Sequence, residues 1–413
     1  MRTAVVVVGD LGRSPRMQYH ALRLAVNEGD VELVGLEGAP LHAALTAESR
    51  IRSHRLADRR FKSRAARGRT RFLWMSAARA TIQAGGLLST LLRMPKPDLI
   101  LVQNPPAVPT LAAAWTAARM RGARLVIDWH NLSHTVLAVR LGDRHRAVRA
   151  LRRSERRWAH RADAHLAVSQ ALADWLHREW RVRATVVYDR PSALFAKPSL
   201  EAANDLWQRL ARDLHLGARR IPLVVCPTSW TADEDFDLLL EALERAERAL
   251  NTKLGPSDGS APNLALLLTG RGEMRSDFEK RLSRRDFKRI AVRAAWLEPG
   301  DYPTLAGMAD AGLCLHQSSS GLDLPMKLAD FRGAGVPVAA FDYGPVLSEV
   351  ITPGREGVTF GEPGELAALF IALATADLSA VPKLAASRTW LAANPPERWE
   401  DHWHERAHGV LIG

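Results

Sequence analysis

The chain has 413 residues, with 57 lysines and arginines against 45 aspartates and glutamates and a formal net charge of +12. That length exceeds one comfortable core and suits two α/β domains of ordinary size. The charge calls for an acidic partner such as nucleic acid, an anionic membrane surface or a phosphorylated substrate. The only cysteines, Cys226 and Cys314, exclude a disulfide framework and fit a reducing cytoplasm.

The β-branched run Ala4-Val5-Val6-Val7-Val8, closed by Gly9, predicts a buried strand and is too short for a signal sequence. The loop after it reads Gly9-Asp10-Leu11-Gly12-Arg13-Ser14-Pro15-Arg16-Met17-Gln18-Tyr19-His20. Ser14 suits a helix N-cap and Pro15 a first helical residue, so free N–H groups and the positive end of a helix form an anion site. Arg13 and Arg16 add forked donors for phosphate oxygens. The same loop also reads as an ordinary strand-to-helix turn with solvated arginines. It is not the dinucleotide fingerprint, since the third glycine and a ribose-binding acid are missing.

After a strand at 31 to 36, residues 50 to 71 hold ten lysines or arginines against Asp58 alone. The apolar residues that follow, from Phe72 to Leu92, come nearest to a membrane span, but Arg79 and Arg93 break the run. The basic and apolar pairing suits an anionic bilayer surface. A solvated basic helix beside a core helix fits it too. Strands follow at 98 to 102, 124 to 127, 165 to 168 and 184 to 188, separated by helices, the pattern of a parallel doubly wound sheet. Just after the fourth strand, Asp128-Trp129-His130-Asn131 puts an acid and an imidazole at the mouth of the sheet, where either can accept a proton. A polar turn whose histidine caps a helix is the competing reading.

Beyond a polar stretch from Pro191 to Arg220 the alternation restarts, with strands at 222 to 226, 264 to 269, 290 to 296, 312 to 316 and 336 to 341. A second α/β domain follows, interrupted at 251 to 263 by a loop rich in Asn, Gly, Pro and Ser. The domains are therefore expected at 1–195 and 196–382. A tryptophan-bearing segment at 383–413 is expected to pack back on the first. Ligands of such sheets bind beyond the carboxyl ends of the strands. There the second domain offers Pro227-Thr228-Ser229-Trp230-Thr231, Thr269-Gly270-Arg271-Gly272 and the run from Leu315 to Phe331. In that run His316, Ser319, Ser320, Gly321 and Leu322 lead towards a helix. Backbone N–H groups there make a diphosphate cradle, Lys327 neutralises a leaving group, and Asp330, three residues on, can accept from ribose hydroxyls. Asp233-Glu234-Asp235 reads as first-turn capping rather than a metal site.

These segments, together with Gln103-Asn104-Pro105-Pro106 and Tyr188-Asp189-Arg190-Pro191, resemble the chitobiosyldiphosphodolichol β-mannosyltransferase family nearly end to end. The Lys327 to Asp330 helix is similar to that of GT-B glycosyltransferases generally. The resemblance implies a GT-B fold, two Rossmann-like domains facing across a cleft. It further implies GDP-mannose as donor substrate, a lipid-diphosphate-linked GlcNAc disaccharide as acceptor, inversion at the anomeric carbon, and no tightly bound cofactor or metal. Under it, His130 and Asp128 are candidates for the base or for a base and its orienting partner. Gly12, Arg13, Arg16 and His20 face the acceptor, and Leu297 follows Trp296 in a base-reading loop. Eukaryotic members begin with a membrane-anchoring helix that is not read here, so peripheral attachment to the cytoplasmic face of a membrane is expected. Two alternatives are a transferase of another sugar to a polyprenyl-diphosphate glycan, and a non-catalytic nucleic-acid-binding protein. The second lacks a readable motif or aromatic platforms in the basic stretch, so no nucleic-acid partner is expected.

Overall fold

The computed structural model describes residues 1–56, 82–217, 219–255, 261–298 and 300–413. They form two compact units, Met1–Asp189 with Glu400–Gly413, and Arg190–Trp399.

The first unit is a seven-stranded parallel sheet: β1 (Thr3–Asp10), β2 (Val31–Leu36), β3 (Ile51–Leu56), β4 (Leu99–Asn104), β5 (Arg124–Trp129), β6 (Ala164–Ala167) and β7 (Thr185–Val186), in the order β3-β2-β1-β4-β5-β6-β7. Its central strands are unbroken apolar runs because helices cover both faces of a parallel sheet. Val5, Leu33, Leu101 and Ile127 are fully buried. The edge strand β3 is different: it reads Ile51-Arg52-Ser53-His54-Arg55-Leu56 and turns both arginines to solvent. The basic stretch expected on a bilayer therefore begins as a sheet edge, and residues 57 to 71 lie outside the described residues. In the helix over 82 to 93, Leu87 and Leu91 are core residues rather than a lipid-facing stripe. Among the described residues no helix is long and apolar enough to cross a membrane.

The second unit repeats the plan with β8 (Leu223–Pro227), β9 (Leu264–Thr269), β10 (Ile290–Ala295), β11 (Ala311–Cys314), β12 (Val338–Phe341) and β13 (Gly357–Phe360), ordered β10-β9-β8-β11-β12-β13. Both orders grow outwards in two directions from the first strand of the unit, the Rossmann arrangement, whose crevice lies at the strand carboxyl ends. Two apolar clusters cover its faces, one around Leu239, Leu266 and Phe370, the other around Leu223, Leu267 and Phe331. Cys226 and Cys314 are buried, unpaired thiols.

The carboxyl-terminal segment divides later than expected. Helix Pro382–Ala393 stays with the second unit because Leu384 is fully buried in its core and the Arg388 guanidinium donates to the Asp310 carbonyl at 3.0 Å. Only Glu400–Gly413 joins the first unit. There Arg124 at the start of β5 donates to the carbonyls of Val410 and Leu411, each at 3.1 Å, and Trp403 is fully buried.

One buried carboxylate organises the end of β4. Glu155, on helix Arg146–Ala159, accepts from the Ser133 and His134 N–H groups at 2.7 and 3.0 Å, which caps helix Ser133–Leu141, and from the Asn104 amide at 3.1 Å. Removing it leaves several buried donors unmet, each costing about 1–3 kcal/mol. Glu155→Ala is expected to destabilise the first unit by about 3 kcal/mol in urea unfolding.

Candidate active site

In the first unit, helix Pro15–Asn27 begins with Pro15 at its first position, as its fixed φ favours. Ser14 does not cap it; its hydroxyl donates to the Asp10 carbonyl instead, at 3.1 Å. Gly12 lies in a tight turn where a Cβ would overlap the carbonyl oxygens of Ala39 and Pro40. Arg13 keeps more than half its side chain in solvent, 3.6 Å from Asp10.

Arg16 is placed differently from expectation. It is 1 % exposed and grips Asp128 with two parallel donors, Nε to Oδ2 at 2.8 Å and Nη2 to Oδ1 at 3.0 Å. Its remaining nitrogen reaches Asp189 and the Val187 carbonyl, both at 2.8 Å. A forked guanidinium held this way is a fixed internal charge, so Arg16 cannot grip an acceptor diphosphate. His20 is fully buried as well, which removes it from substrate contact. The Trp403 indole donates to His20 Nδ1 at 2.9 Å; an indole N–H can only donate, so the His20 proton sits on Nε2, 3.4 Å from Asp128 Oδ2.

Asp128, one residue before the end of β5, is thus fully buried among Arg16, His20 and His130. Burial works against its charge, but Arg16 and His130 outweigh it and hold the carboxyl well below its ordinary range. An acid so firmly ionised and enclosed is poorly placed to take a proton from outside. His130 is the group left facing outward: about a fifth of its side chain is exposed and Nε2 lies 2.9 Å from Asp128 Oδ2. With Nε2 donating to the carboxylate, Nδ1 keeps a lone pair for an incoming proton.

In the second unit the turn after β8 is built around Glu234, which is buried. Its Oε2 accepts from the Thr228 hydroxyl, the Ser229 N–H at 3.0 Å and the Trp230 N–H at 2.9 Å, while Oε1 meets Lys327 Nζ at 2.5 Å. Of the acidic trio only Asp235 caps the following helix, accepting from the Leu238 N–H at 2.9 Å; Glu234 pairs with Lys327 and Asp233 with His316, contacts that the capping reading missed. Burial opposes the Lys327 charge, while Cys314 and Glu234 raise its pKa. Burial also keeps the Cys314 thiol protonated, so Glu234 is the working anion at neutral pH. Trp230 is fully buried and stacked on Phe236 at 4.9 Å, so its ring belongs to the core and not to a nucleotide. Gly270 sits at φ +112° with no room for a Cβ beside the Thr228 carbonyl. Arg271 lies over the Trp296 ring at 3.5 Å, one residue before Leu297.

The serine turn is also changed. The N–H groups of Ser320 and Gly321 donate to Ser318 Oγ at 3.2 and 2.8 Å, and the Leu322 N–H to Ser320 Oγ at 3.1 Å. The Ser320 and Gly321 N–H groups expected to form a cradle are instead turned onto the hydroxyl of the same turn. Asp323 anchors the turn, accepting from Ser318 Oγ and lying 3.3 Å from His316 Nε2. Asp330 accepts from the Tyr302 hydroxyl at 3.2 Å. Lys327 and His316 share the cluster with three carboxylates, Asp233, Glu234 and Asp323, so it carries no excess of positive charge. Among the described residues no group of His, Cys, Asp and Glu is arranged to hold a metal ion.

Residues 12–189 match the glycosyl transferase 4-like domain family. A chitobiosyldiphosphodolichol β-mannosyltransferase of Mus musculus is 34 % identical over 98 % of this chain and 88 % of its own. The chain belongs to that family. A Homo sapiens β-mannosyltransferase of the same name is 34 % identical over 96 % of this chain and 90 % of its own. A relative from Arabidopsis thaliana named UDP-glycosyltransferase TURAN is 37 % identical over 89 % and 87 %. An Anabaena protein crystallised with UDP and glucose covers 98 % of both chains at TM-score 0.67 and 16 % identity, and a sucrose-phosphate synthase of Thermosynechococcus elongatus covers 98 % and 96 % at 0.66 and 15 %. Those likenesses show the GT-B fold, and the β-mannosyltransferase family makes the chain a glycosyltransferase.

His316 gives this family member a pH signature. Burial opposes its charge, but hydrogen bonds to Asp233 at 3.0 Å and to Asp323 raise its pKa to about 9, so both ring nitrogens donate at neutral pH. A folded-state pKa above the ordinary value stabilises fully below about 6.5 and is lost as pH rises through about 9. Wild-type chain is expected to lose roughly 2–3 kcal/mol between pH 7 and 10 that His316→Gln does not, read by urea unfolding across that range.

Proposed function

We propose that the chain moves mannose from GDP-mannose to a lipid-diphosphate-linked GlcNAc disaccharide with inversion, forming a β-1,4 linkage without a tightly bound cofactor. The observation that carries the reading is the chain-long likeness to proteins named for chitobiosyl-diphosphodolichol mannosylation. The exposed imidazole backed by a buried carboxylate at the end of β5 supports the chemistry.

In this mechanism His130 Nδ1 takes the proton of the acceptor hydroxyl as its oxygen attacks the anomeric carbon. Asp128, pinned by Arg16, fixes the ring and steadies the imidazolium that forms. The bond from the anomeric carbon to the diphosphate oxygen breaks, and GDP departs with the electron pair. Lys327 and Arg271, with the backbone of 319 to 321 once opened, meet the charge on that diphosphate. Arg13, exposed in the loop after β1, takes over the acceptor-diphosphate role first given to Arg16 as well. Asp330 and the segment after Leu297 remain the proposed ribose and base contacts. The acceptor's lipid implies attachment at the cytoplasmic face of a membrane.

A second donor reading has its own support, since the Arabidopsis thaliana relative is named a UDP-glycosyltransferase. The two are separated by offering GDP-mannose, UDP-glucose and UDP-N-acetylglucosamine with a short-chain lipid-diphosphate chitobiose, and determining the anomeric configuration of the product. Transfer from GDP-mannose with a β product is expected; transfer from a UDP-sugar alone sinks the donor assignment. In the same assay His130→Ala should lower kcat by about 10²–10⁴-fold with the donor KM unchanged, and a wild-type kcat would remove His130 as the base.

A further inference from the structure

The strongest surface feature outside the site is the helical hairpin that follows His130. Between residues 136 and 157 it carries eight arginines against Asp143 and Glu155, and Glu155 is buried in the capping described above. On helix Arg146–Ala159 the buried positions are Val148, Glu155 and Ala159, which align at helical spacing. Arg146, Arg149, Arg153, Arg156 and Arg157 occupy the exposed remainder. Among the described residues none of these five has a carboxylate partner, whereas Arg152 meets Glu179 at 2.8 Å. Five unpaired like charges on one helix repel one another, so the face is costly unless an extended anionic surface meets it.

Helix Ser133–Leu141, the other arm, turns apolar side chains outward. His134 and Leu141 are buried; Val136 and Val139, three residues apart and opposite them, are 48 % and 69 % exposed. We propose that this hairpin is a docking surface for an anionic lipid bilayer, with the arginines against headgroup phosphates and Val136 and Val139 entering the interface. Paired apolar and arginine faces fit a bilayer better than nucleic acid, which gains nothing from exposed valines and seeks aromatic platforms. The tryptophans at hand are engaged with each other and with arginines: Trp115 and Trp158 pack at 5.4 Å, and Arg161 lies over both. Placement agrees with the chemistry. Val139 lies six residues, about 9 Å of helix rise, beyond Ser133, itself three residues after His130, so docking brings a membrane-borne diphosphate towards His130. This purpose rests on the lipid-linked acceptor of the proposed function, but the binding itself does not.

The test is flotation of the full chain with vesicles of phosphatidylcholine alone and of phosphatidylcholine with phosphatidylglycerol, with inorganic phosphate as competitor. Wild type should float with the anionic vesicles only, and phosphate should not release it at matched ionic strength. The combined variant Arg149→Glu, Arg153→Glu and Arg156→Glu should lose at least about tenfold in partitioning, while Arg59→Gln with Arg60→Gln and Arg64→Gln keeps most of it. A polarity-sensitive label at Val139→Cys reports independently of whether the triple variant folds. Cys226 and Cys314 are buried with their thiols held protonated, so the label goes to position 139. Its emission should shift to the blue and be quenched by brominated lipid. Flotation of the triple variant at the wild-type level, or an unchanged label on floating protein, overturns the docking site. Failure of the wild type to float overturns it too, as does release by phosphate or binding of an RNA oligonucleotide in place of vesicles. Normal flotation without sugar transfer would instead sink the proposed function and leave the docking surface standing.

Discussion

The first unit depends on one buried ion pair. Arg16 and Asp128 come from the first helix and the fifth strand, and neither is tolerable in the interior without the other, since a lone buried charge costs several kcal/mol. Once formed, the pair fixes everything around it. Asp189 closes the guanidinium from the end of the unit, His20 and His130 share the remaining carboxylate edge, and Trp403 sets the His20 tautomer. The exposed imidazole is thus the accessible end of an otherwise closed network. Its orientation is set by groups that cannot move without leaving a charge unpaired.

Glu234 plays the matching part in the second unit. By collecting two backbone N–H groups, a hydroxyl and Lys327, it ties the turn after β8 to the helix that follows β11. A lysine held this way is charged and in place, with a carboxylate as its counter-ion. The serine turn behaves alike: its N–H groups are ordered by the Ser318 and Ser320 hydroxyls. Both are preorganised with internal anions or dipoles, which limits the reorganisation that binding requires.

Much of this was legible in the sequence because buried parallel strands are continuous apolar runs. Eleven strands follow from that signal, among them β9, whose six residues are apolar up to Thr269. The two it misses, β3 and β13, are sheet edges: one is rich in arginine and half exposed, the other, Gly357-Val358-Thr359-Phe360, has no continuous apolar run. The site was legible as segments but not as roles. His130, Asp128 and Lys327 were singled out for their place at or beyond the carboxyl ends of strands, and the structure sets each in a charged cluster. Arg16 was misassigned because a sequence does not say whether an arginine faces solvent or a carboxylate 112 residues away. Glu234 was hidden by its neighbours, since a run of three acids before a helix looks like capping and only Asp235 caps. Trp230 sat in the right loop with its ring on the wrong side.

The late return of Glu400–Gly413 to the first unit bears on how the protein is made. The chain leaves the ribosome with all seven strands of one sheet, then an entire second sheet, before the tryptophan that reaches His20 has been synthesised. Until then the nascent first unit has its Arg16 and Asp128 but not the indole that decides which histidine nitrogen carries hydrogen. A first unit made without Glu400–Gly413 would therefore keep its sheet while lacking the indole contact that fixes the His20 tautomer.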